Sequence, residues 1–230
     1  MRTFRKILSY LKRPAFIKNK ITKGILVVGH PRSATGYAAK LLEAYGLEIG
    51  HEVMKKNGIS SWMYTVPTIQ SIPHGENTLP RFYNFENVIH IVRDPIKVVT
   101  SMAYSVLPDP ITENFIALYV PMYRVPDHRI CKAVYSCVMW NRLARLYWPN
   151  STIMKAENIE HSIESYLKER NLLHTTVHRQ NLLPEKDYNT RKRSIQSIEL
   201  EEIAKNCPQW LFEDFKKHCF EYGYTYKQLE

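Results

Sequence analysis

Short apolar runs alternate along this chain with stretches in which apolar residues recur at helical spacing. The runs at 24–29 and 88–92 have no regular polar alternation, which is typical of strands buried on both faces of a sheet. Residues 47–52 and 152–155 are two further strand candidates. Helices are predicted at 37–45, about 96–105, 127–147, 160–170, 197–206 and 208–222, with one short helix inside the proline-containing loop 108–126.

Local signals mark several of these boundaries. Gly46 is placed to end the first helix, Pro95 to begin the second, Asp127 to cap the long helix and Pro149 to stop it. Strands that alternate with helices predict βαβ units, and therefore a parallel sheet with helices on both faces. Ligands of such sheets bind beyond the carboxyl ends of the strands, so the chemistry is expected in the loops that follow the two apolar runs.

The composition restricts the class of protein. The 230 residues are 44% apolar and 23% charged, which fits one folded domain and excludes disordered, collagen-like and disulfide-stapled proteins. No apolar run reaches the roughly 18 residues of a membrane-spanning helix, and 25–29 is too short for the apolar part of a secretory signal. The four cysteines have neither C-x-x-C nor zinc-ligand spacing, so we expect reduced thiols in a cytoplasmic protein.

The formal net charge of +10 is concentrated at the N-terminus. Residues 1–23 contain eight Lys and Arg residues and no acidic residue, so the rest of the chain is almost neutral. A basic stripe of the kind that binds nucleic acid is therefore not expected on the folded body. Within the segment, Phe4, Ile7, Leu8 and Leu11 recur at helical spacing. We expect a basic amphipathic leader at 1–23, which either contacts an anionic membrane or docks on the core, and a single domain at 24–230.

The segment 29–37 lies between a predicted buried strand and the first predicted helix. A loop that enters a helix N-terminus directs free backbone N–H groups and the positive end of the helix dipole at one point. Arg32, Ser33 and Thr35 add a cation and two hydroxyl donors, so we expect an anion site. The loop is not a Walker A sequence, because no Gly-Lys pair precedes Thr35. The candidate anion-binding residues are Pro31, Arg32, Ser33, Ala34, Thr35, Gly36 and Tyr37.

A second cation follows the strand at 88–92. Arg93 begins the sequence Arg-Asp-Pro, and Ser101 lies about two turns along the next predicted helix. These two side chains are candidates for holding a second phosphate group at some distance from the first. An aspartate that caps the helix and pairs with Arg93 accounts for the same pattern equally well.

Both segments, in this order, resemble the sulfotransferase superfamily that uses 3′-phosphoadenosine 5′-phosphosulfate (PAPS). The loop at 29–36 is similar to the family's 5′-phosphosulfate loop, G-x-P-[KR]-S-G-T-T, and 93–101 to its 3′-phosphate element, R-x-P-x(5)-S. Residues 135–141 weakly resemble its W-x-x-W-N helix, and 153–159 its strand and turn I-R-Y-E-D-L. The resemblance implies an α/β three-layer, P-loop-like domain with a central parallel β-sheet flanked by helices, with PAPS as co-substrate and no metal.

The first loop departs from the family pattern at two positions. Ala34 replaces the usual Gly, which narrows the approach of the backbone to a phosphosulfate, and Gly36 replaces the usual second Thr, which removes a hydroxyl donor. Arg32 in place of Lys is similar to bacterial and carbohydrate-type members. Arg191 and Arg193 occupy the place of the family's basic lid over the nucleotide, or else belong to a solvated run of charges.

The resemblance implies in-line sulfuryl transfer to a hydroxyl or amine acceptor, such as a glycan or glycolipid. Arg32 is placed to stabilise the negative charge that grows on the leaving nucleotide. A hydroxyl acceptor needs a general base, for which His51 has the more convenient ordinary pKa, whereas the resemblance favours Glu52 with a pKa raised by burial. Because neighbouring residues of a regular strand point to opposite faces, we expect only one of them to face the cleft. The alternative is that neither residue is a base and that both His51 and Glu52 have a structural role.

Two other functions are compatible with the sequence. One is a nucleotide or metabolite kinase on the same fold, against which the missing Gly-Lys pair argues. The other is a non-catalytic anion-binding protein that the leader attaches to membranes. Trp62 and its neighbours at 58–64 form either an acceptor wall or part of the core. His174 and His178 lack a third metal ligand, so no metal site is expected.

Overall fold

A computed structural model describes residues 20–66, 80–105, 110–173 and 197–226 of the protein. Residues 1–19 of the predicted leader, together with Arg191, Arg193, His174 and His178, lie outside the described residues. Five strands form one parallel sheet in the described part of the chain, in the order β2-β3-β1-β4-β5. They are β1 (Ile21–Gly29), β2 (Ile49–His51), β3 (Gly58–Ser60), β4 (Tyr83–Val92) and β5 (Thr152–Lys155).

Seven α-helices surround this sheet within the same residues. They are α1 (Thr35–Ala44), α2 (Pro95–Thr100), α3 (Pro110–Tyr119), α4 (Arg129–Tyr147), α5 (Ile159–Glu169), α6 (Leu200–Asn206) and α7 (Gln209–Glu221). Short 3₁₀ turns occur at Met63–Thr65, Pro80–Phe82 and Ala156–Asn158, and α2 continues into a π-helical turn at Ser101–Ser105. None of the described helices is both long and apolar enough to cross a membrane.

The central strand β1 explains why the helices form two layers. Its side chains alternate between the faces of the sheet, and both sets are apolar. Ile25 and Val27 pack with α1 and α5, whereas Leu26 and Val28 pack with α3 and α4. A third apolar cluster joins α2, α4, α6 and α7. The predicted α/β class, a parallel sheet with helices on both faces, is therefore confirmed.

Both long strands start earlier than their apolar runs. β1 begins at Ile21, so the last three residues of the predicted leader are strand, and β4 begins at Tyr83 rather than at 88. The first half of β1 pairs in parallel with the first half of β4. Both halves are partly exposed and contain polar residues, so the apolar pattern that predicts a buried strand is missing there. The three residues of β3 are too few to give any periodic signal.

The helix boundaries follow the local signals, with one exception. Gly46, with a φ of 83°, follows the C-cap residue Tyr45 of α1, and Pro95 is the first residue of α2 behind an Asp94 cap. The cap of the long helix α4 is His128 rather than Asp127, because the His128 ring accepts the N–H of Ile130.

Candidate functional site

A cleft of about 950 Å³ lies where the parallel strands end. Its walls come from four segments that each follow a strand: the loop after β1, His51 at the end of β2, Arg93 after β4, and residues 156–162 after β5. Of the predicted site residues that the structure describes, those lining the cleft are Pro31, Arg32, Ala34, Thr35, Gly36, Tyr37, His51 and Arg93. Ser33, Glu52 and Ser101 lie outside that lining. The carboxyl edge of the sheet therefore holds most of the predicted site.

The loop after β1 presents the first turn of α1 to this cleft. Ala34, the residue before the helix, has left-handed backbone angles (φ 66°, ψ 28°), and its side chain makes no capping hydrogen bond. The Thr35 carbonyl accepts the Ser60 hydroxyl at 2.7 Å, which fixes the helix start to β3. Ser33 Oγ is fully buried and has no hydrogen-bond partner among the described residues. The backbone N–H groups of the first turn of α1 are thus the donors that this loop can offer to an oxyanion in the cleft, and the buried Ser33 hydroxyl lies behind them.

The cations of the site are connected to each other through this loop. Arg32 Nε donates to Ser101 Oγ at 2.7 Å, and Arg93 Nη1 donates to the Arg32 carbonyl at 3.1 Å. Sequence reasoning places Ser101 with Arg93 at a second phosphate, whereas the structure joins Ser101 to Arg32. Lys97, in the first turn of α2, is a third cation in the cleft lining that sequence reasoning missed.

His30 supports the loop from inside the protein. Its Nδ1 accepts the Arg32 N–H at 3.4 Å, and its Nε2 lies 3.0 Å from Ser136 Oγ on α4. Complete burial is the main cause that lowers the pKa of His30 to about 3, so the ring is neutral and one nitrogen can accept. The signal in the sequence was a lone histidine directly after the apolar strand.

The opposite wall of the cleft is acidic and belongs to the start of α5. Tyr37 on α1 donates its hydroxyl to Glu160 Oε1 at 2.5 Å, which ties the two helices together. Burial and this hydrogen bond raise the pKa of Tyr37. Sequence reasoning gave Tyr37 an anion-binding role and did not foresee Glu160, since a carboxylate in a helix first turn is common for reasons of helix stability alone.

Two C-terminal tyrosines hold the segment that carries Arg93 and Lys97. Tyr226 donates to Asp94 Oδ1 at 2.7 Å, and Tyr224 donates to Glu157 Oε2 at 2.7 Å. Glu157 Oε1 in turn accepts the Asp94 N–H at 2.9 Å. Asp94 also accepts from Ile96 N and Lys97 N, as the cap of α2. We call this arrangement of Asp94, Glu157, Tyr224 and Tyr226 the tyrosine clasp.

His51 and Glu52 lie side by side at the end of β2, and of the two only His51 lines the cleft. The strand ends at His51, and Glu52 has a φ of 59°, so the alternation of a regular strand does not extend to it. His51 Nε2 lies 3.6 Å from Glu52 Oε1. The His51 side chain is 41% exposed and lines the cleft, whereas that of Glu52 is 12% exposed.

The Glu52 carboxyl is buried among donors. The Ser61 hydroxyl donates to Oε2, and the Trp62 N–H donates to Oε1 at 3.3 Å. Burial outweighs these two bonds and raises the pKa of Glu52 to about 7, while burial lowers the pKa of His51. Burial therefore favours the neutral form of both side chains.

Of the two alternatives for Trp62 and its neighbours, an acceptor wall or part of the core, the structure shows the core. Trp62 is 7% exposed and packs edge-on against Phe115, and its carbonyl accepts the Trp140 indole N–H at 3.3 Å. Tyr64 is fully buried in the same cluster.

Comparison with family models, curated proteins and solved structures finds no match to this chain. Within the residues that the structure describes, no group of three or more His, Cys, Asp and Glu side chains is arranged around a metal position. The functional argument therefore depends on the geometry of the cleft and on the sequence pattern of its loops.

Proposed function

We propose that this protein is a PAPS-dependent sulfotransferase. The observation that carries the proposal is the convergence of an uncapped helix N-terminus and the side chains of Arg32 and Arg93 at one cleft. These groups are all donors or cations, so they suit a ligand with more than one oxyanion. A phosphosulfate suits them because its oxygens can accept from the α1 backbone and from Arg32 together.

The second phosphate of the nucleotide is assigned to the other end of this cation group. Arg93 and Lys97 line the cleft beyond the loop, and the clasp fixes the start of the helix that bears Lys97. In the proposal they hold the 3′-phosphate. Ser101 contributes through its hydrogen bond to Arg32, which orients that guanidinium.

The chemistry supplied by PAPS is a sulfuryl group activated by its bond to a phosphate. An oxygen or nitrogen of the acceptor forms a bond to sulfur as the sulfur–oxygen bond to the phosphate breaks, and that electron pair stays on the phosphate. Arg32 and the N–H groups of α1 stabilise the charge that develops there. The acceptor proton passes to the pair His51 and Glu52. Positioning and electrostatics thus supply most of the rate, as in phosphoryl transfer.

The acceptor and the location complete the proposal. We assign the acceptor to the hydroxyl or amine compounds, with glycans and glycolipids first, on the resemblance of the loops alone. All four cysteines are free thiols and buried, which supports a reducing, cytoplasmic location. Contact of the basic leader with anionic membranes is part of the same proposal.

Binding of 3′,5′-ADP (PAP), the desulfated nucleotide, tests the proposal directly. At a PAP concentration of about 100 times Kd, the folded protein gains about 2.7 kcal/mol, seen as a higher unfolding temperature. The gain should be equal with and without EDTA. No stabilisation at millimolar PAP would remove the proposal, and stabilisation by Mg-ATP but not by PAP would favour a kinase.

The assignment of the two phosphates is tested with the variant Arg93→Ala. It should weaken PAP binding more strongly than AMP binding, because AMP lacks the 3′-phosphate. Arg124→Ala is the matched control, since Arg124 is exposed and pairs with Asn114 outside the cleft lining. Equal losses for PAP and AMP in Arg93→Ala would show that Arg93 does not contact the 3′-phosphate.

A further inference from the structure

His51 and Glu52 differ in their access to the cleft. The imidazole lines the cleft, whereas the carboxyl lies outside the lining and is nearly buried. A general base must come within hydrogen-bonding reach of the proton that it removes. His51 lines the cleft and can meet this requirement. Glu52 does not line the cleft, and its carboxyl contacts the His51 ring.

Glu52 is held in place by its surroundings. Both carboxylate oxygens accept hydrogen bonds, from the Ser61 hydroxyl and the Trp62 N–H, and Ser61 Oγ itself accepts the Met63 N–H at 3.1 Å. The left-handed backbone of Glu52 turns the chain so that its side chain comes beside His51. A side chain fixed by this many bonds is suited to orienting a neighbour rather than to moving toward a substrate.

The imidazole is fixed on its other side by α1. A methyl group built on Gly36 would lie 3.2 Å from His51 Cε1 and 3.3 Å from Nε2, so the ring packs against the glycine in the first turn of the helix. Nε2 is the ring nitrogen in contact with Glu52, at 3.6 Å from Oε1, and Nδ1 is the nitrogen away from that carboxylate. The base and the anion site are therefore in direct contact.

We infer that His51 and Glu52 act as one acid–base unit, in which His51 Nδ1 takes the acceptor proton and Glu52 is the positioning residue behind it. This inference rests on the proposed sulfotransferase function. The proton leaves the acceptor oxygen as that oxygen bonds to sulfur, and the imidazolium so formed is stabilised by the Glu52 carboxylate at Nε2. The proton then returns to solvent through the cleft.

The pH range of this unit follows from the groups around it. Glu52 must be ionised to stabilise the imidazolium, and its pKa of about 7 means that the rate rises with pH through neutrality. Other titratable or charged groups face the same cleft and act on His51 from the loop, α1, α2 and α5. They are Arg32, Tyr37, Arg93, Lys97, Glu157, Glu160 and His161.

A double-mutant cycle separates a coupled pair from two independent groups. His51→Ala should lower kcat by roughly 10²- to 10⁴-fold, the usual contribution of a general base, with PAP affinity kept. Glu52→Gln should lower kcat about 10-fold or more in the native protein, and less than about 2-fold in the His51→Ala background. The same loss in both backgrounds, or an inactive Glu52→Gln beside a nearly normal His51→Ala, would overturn the inference.

A second measurement needs no turnover. The imidazole pKa of His51 is read by NMR titration of histidine-labelled, unliganded protein, with His51→Gln to assign the signal. Glu52 ionises at a higher pH than His51 and lies beside its ring, so the His51 signal should also change as Glu52 titrates near pH 7. Glu52→Gln should remove that step from the His51 signal, whereas Glu48→Gln, at an exposed carboxylate paired with Lys56, should not. A His51 titration curve that is unchanged in Glu52→Gln would overturn the coupling.

The two measurements also separate this inference from the proposed function. A protein that shows the coupled pKa but binds no PAP would retain the His51–Glu52 pair and lose the sulfotransferase role together with the proton transfer. A protein that binds PAP but lacks the coupling would retain the proposed function and lose the unit. Thermal unfolding of each variant, compared with Glu48→Gln, identifies any that fail to fold.

Discussion

Ala34 begins helix α1 with a backbone conformation that suits glycine. Left-handed angles cost a residue with a Cβ about 1–2 kcal/mol, and Ala34 has a φ of 66°. The sequence comparison treats this alanine as an obstacle to the ligand. The structure adds that it is also a source of strain at the start of the anion site.

Replacing Ala34 by glycine should therefore stabilise the protein. We expect Ala34→Gly to raise the free energy of unfolding by about 1 kcal/mol, less the entropy that glycine gains in the unfolded chain, as measured by urea denaturation. Ala39→Gly, inside the same helix, is the control and should lower it by about 1 kcal/mol or more. A loss of stability in Ala34→Gly would mean that the left-handed turn carries no strain.

At the scale of residues, the sequence predicts which groups meet but not how they bond. Arg32, Arg93 and His51 come together because each follows a parallel strand, which the order of elements already implies. The bond from Arg32 to Ser101 and the side-by-side placement of His51 and Glu52 depend on a π-helical turn and a left-handed residue. Neither leaves a mark on the hydrophobic pattern.

At the scale of elements, the tyrosine clasp attaches the C-terminal segment to the helix that follows β4. Asp94 both caps α2 and accepts the Tyr226 hydroxyl, so helix start and chain end share one carboxylate. Hydrogen bonds to charged groups contribute about 1.5–3 kcal/mol. The clasp therefore helps to fix the position of Lys97 in the cleft.

Removing one hydroxyl tests this attachment. Tyr226→Phe should lower the free energy of unfolding by roughly 1.5 kcal/mol and weaken PAP binding, because the start of α2 loses a constraint. Tyr83→Phe is the matched control, since the Tyr83 hydroxyl makes no hydrogen bond within the described residues. Stability and PAP affinity in Tyr226→Phe that equal those of the control would show that the clasp is not needed.

Helices and strands that bury apolar side chains are predicted from the sequence, and short or exposed ones are not. The second half of β4 and the long helix α4 follow from apolar runs and helical spacing. The short strand Gly58–Ser60 and the exposed first halves of β1 and β4 do not, because sheet pairing rather than side-chain pattern makes them strand. Tyr224 and Tyr226 are far in sequence from Glu157 and Asp94, so their hydrogen bonds could not be predicted from local patterns.

At the scale of the whole molecule, three buried histidines lie between the sheet and the helices packed on it. His30, His90 and His218 are fully buried or nearly so, and Asn141 on α4 bridges two of them, at 3.0 Å from His90 Nε2 and 3.3 Å from His218 Nε2. Burial is the largest cause that lowers their pKa values, to about 3, 4 and 3. Burial thus favours the neutral form of all three rings above about pH 4.

These histidines should make the fold sensitive to acid. Their pKa values are lower in the folded than in the unfolded chain, so their stabilising effect is complete above pH 6.5 and is lost as the pH falls toward 4. Three such groups give a slope of about 4 kcal/mol per pH unit between pH 6 and 4 at most, measurable by denaturation at several pH values. His218→Gln should reduce that slope by about a third, whereas the exposed His161→Gln should not. A flat profile would contradict the buried neutral state.

Glu52 changes the stability of the fold with pH in the opposite direction to the three histidines. Its pKa is raised in the folded protein, so its contribution is complete below pH 4.5 and is lost as the pH rises through about 7. Ionising this one carboxyl costs the fold about 3 kcal/mol, yet the ionised form is the one that can stabilise a charged His51. The proposed proton transfer would therefore operate on the side of neutrality where Glu52 destabilises the fold most, and a variant selected for thermal stability at alkaline pH would tend to lose Glu52 first.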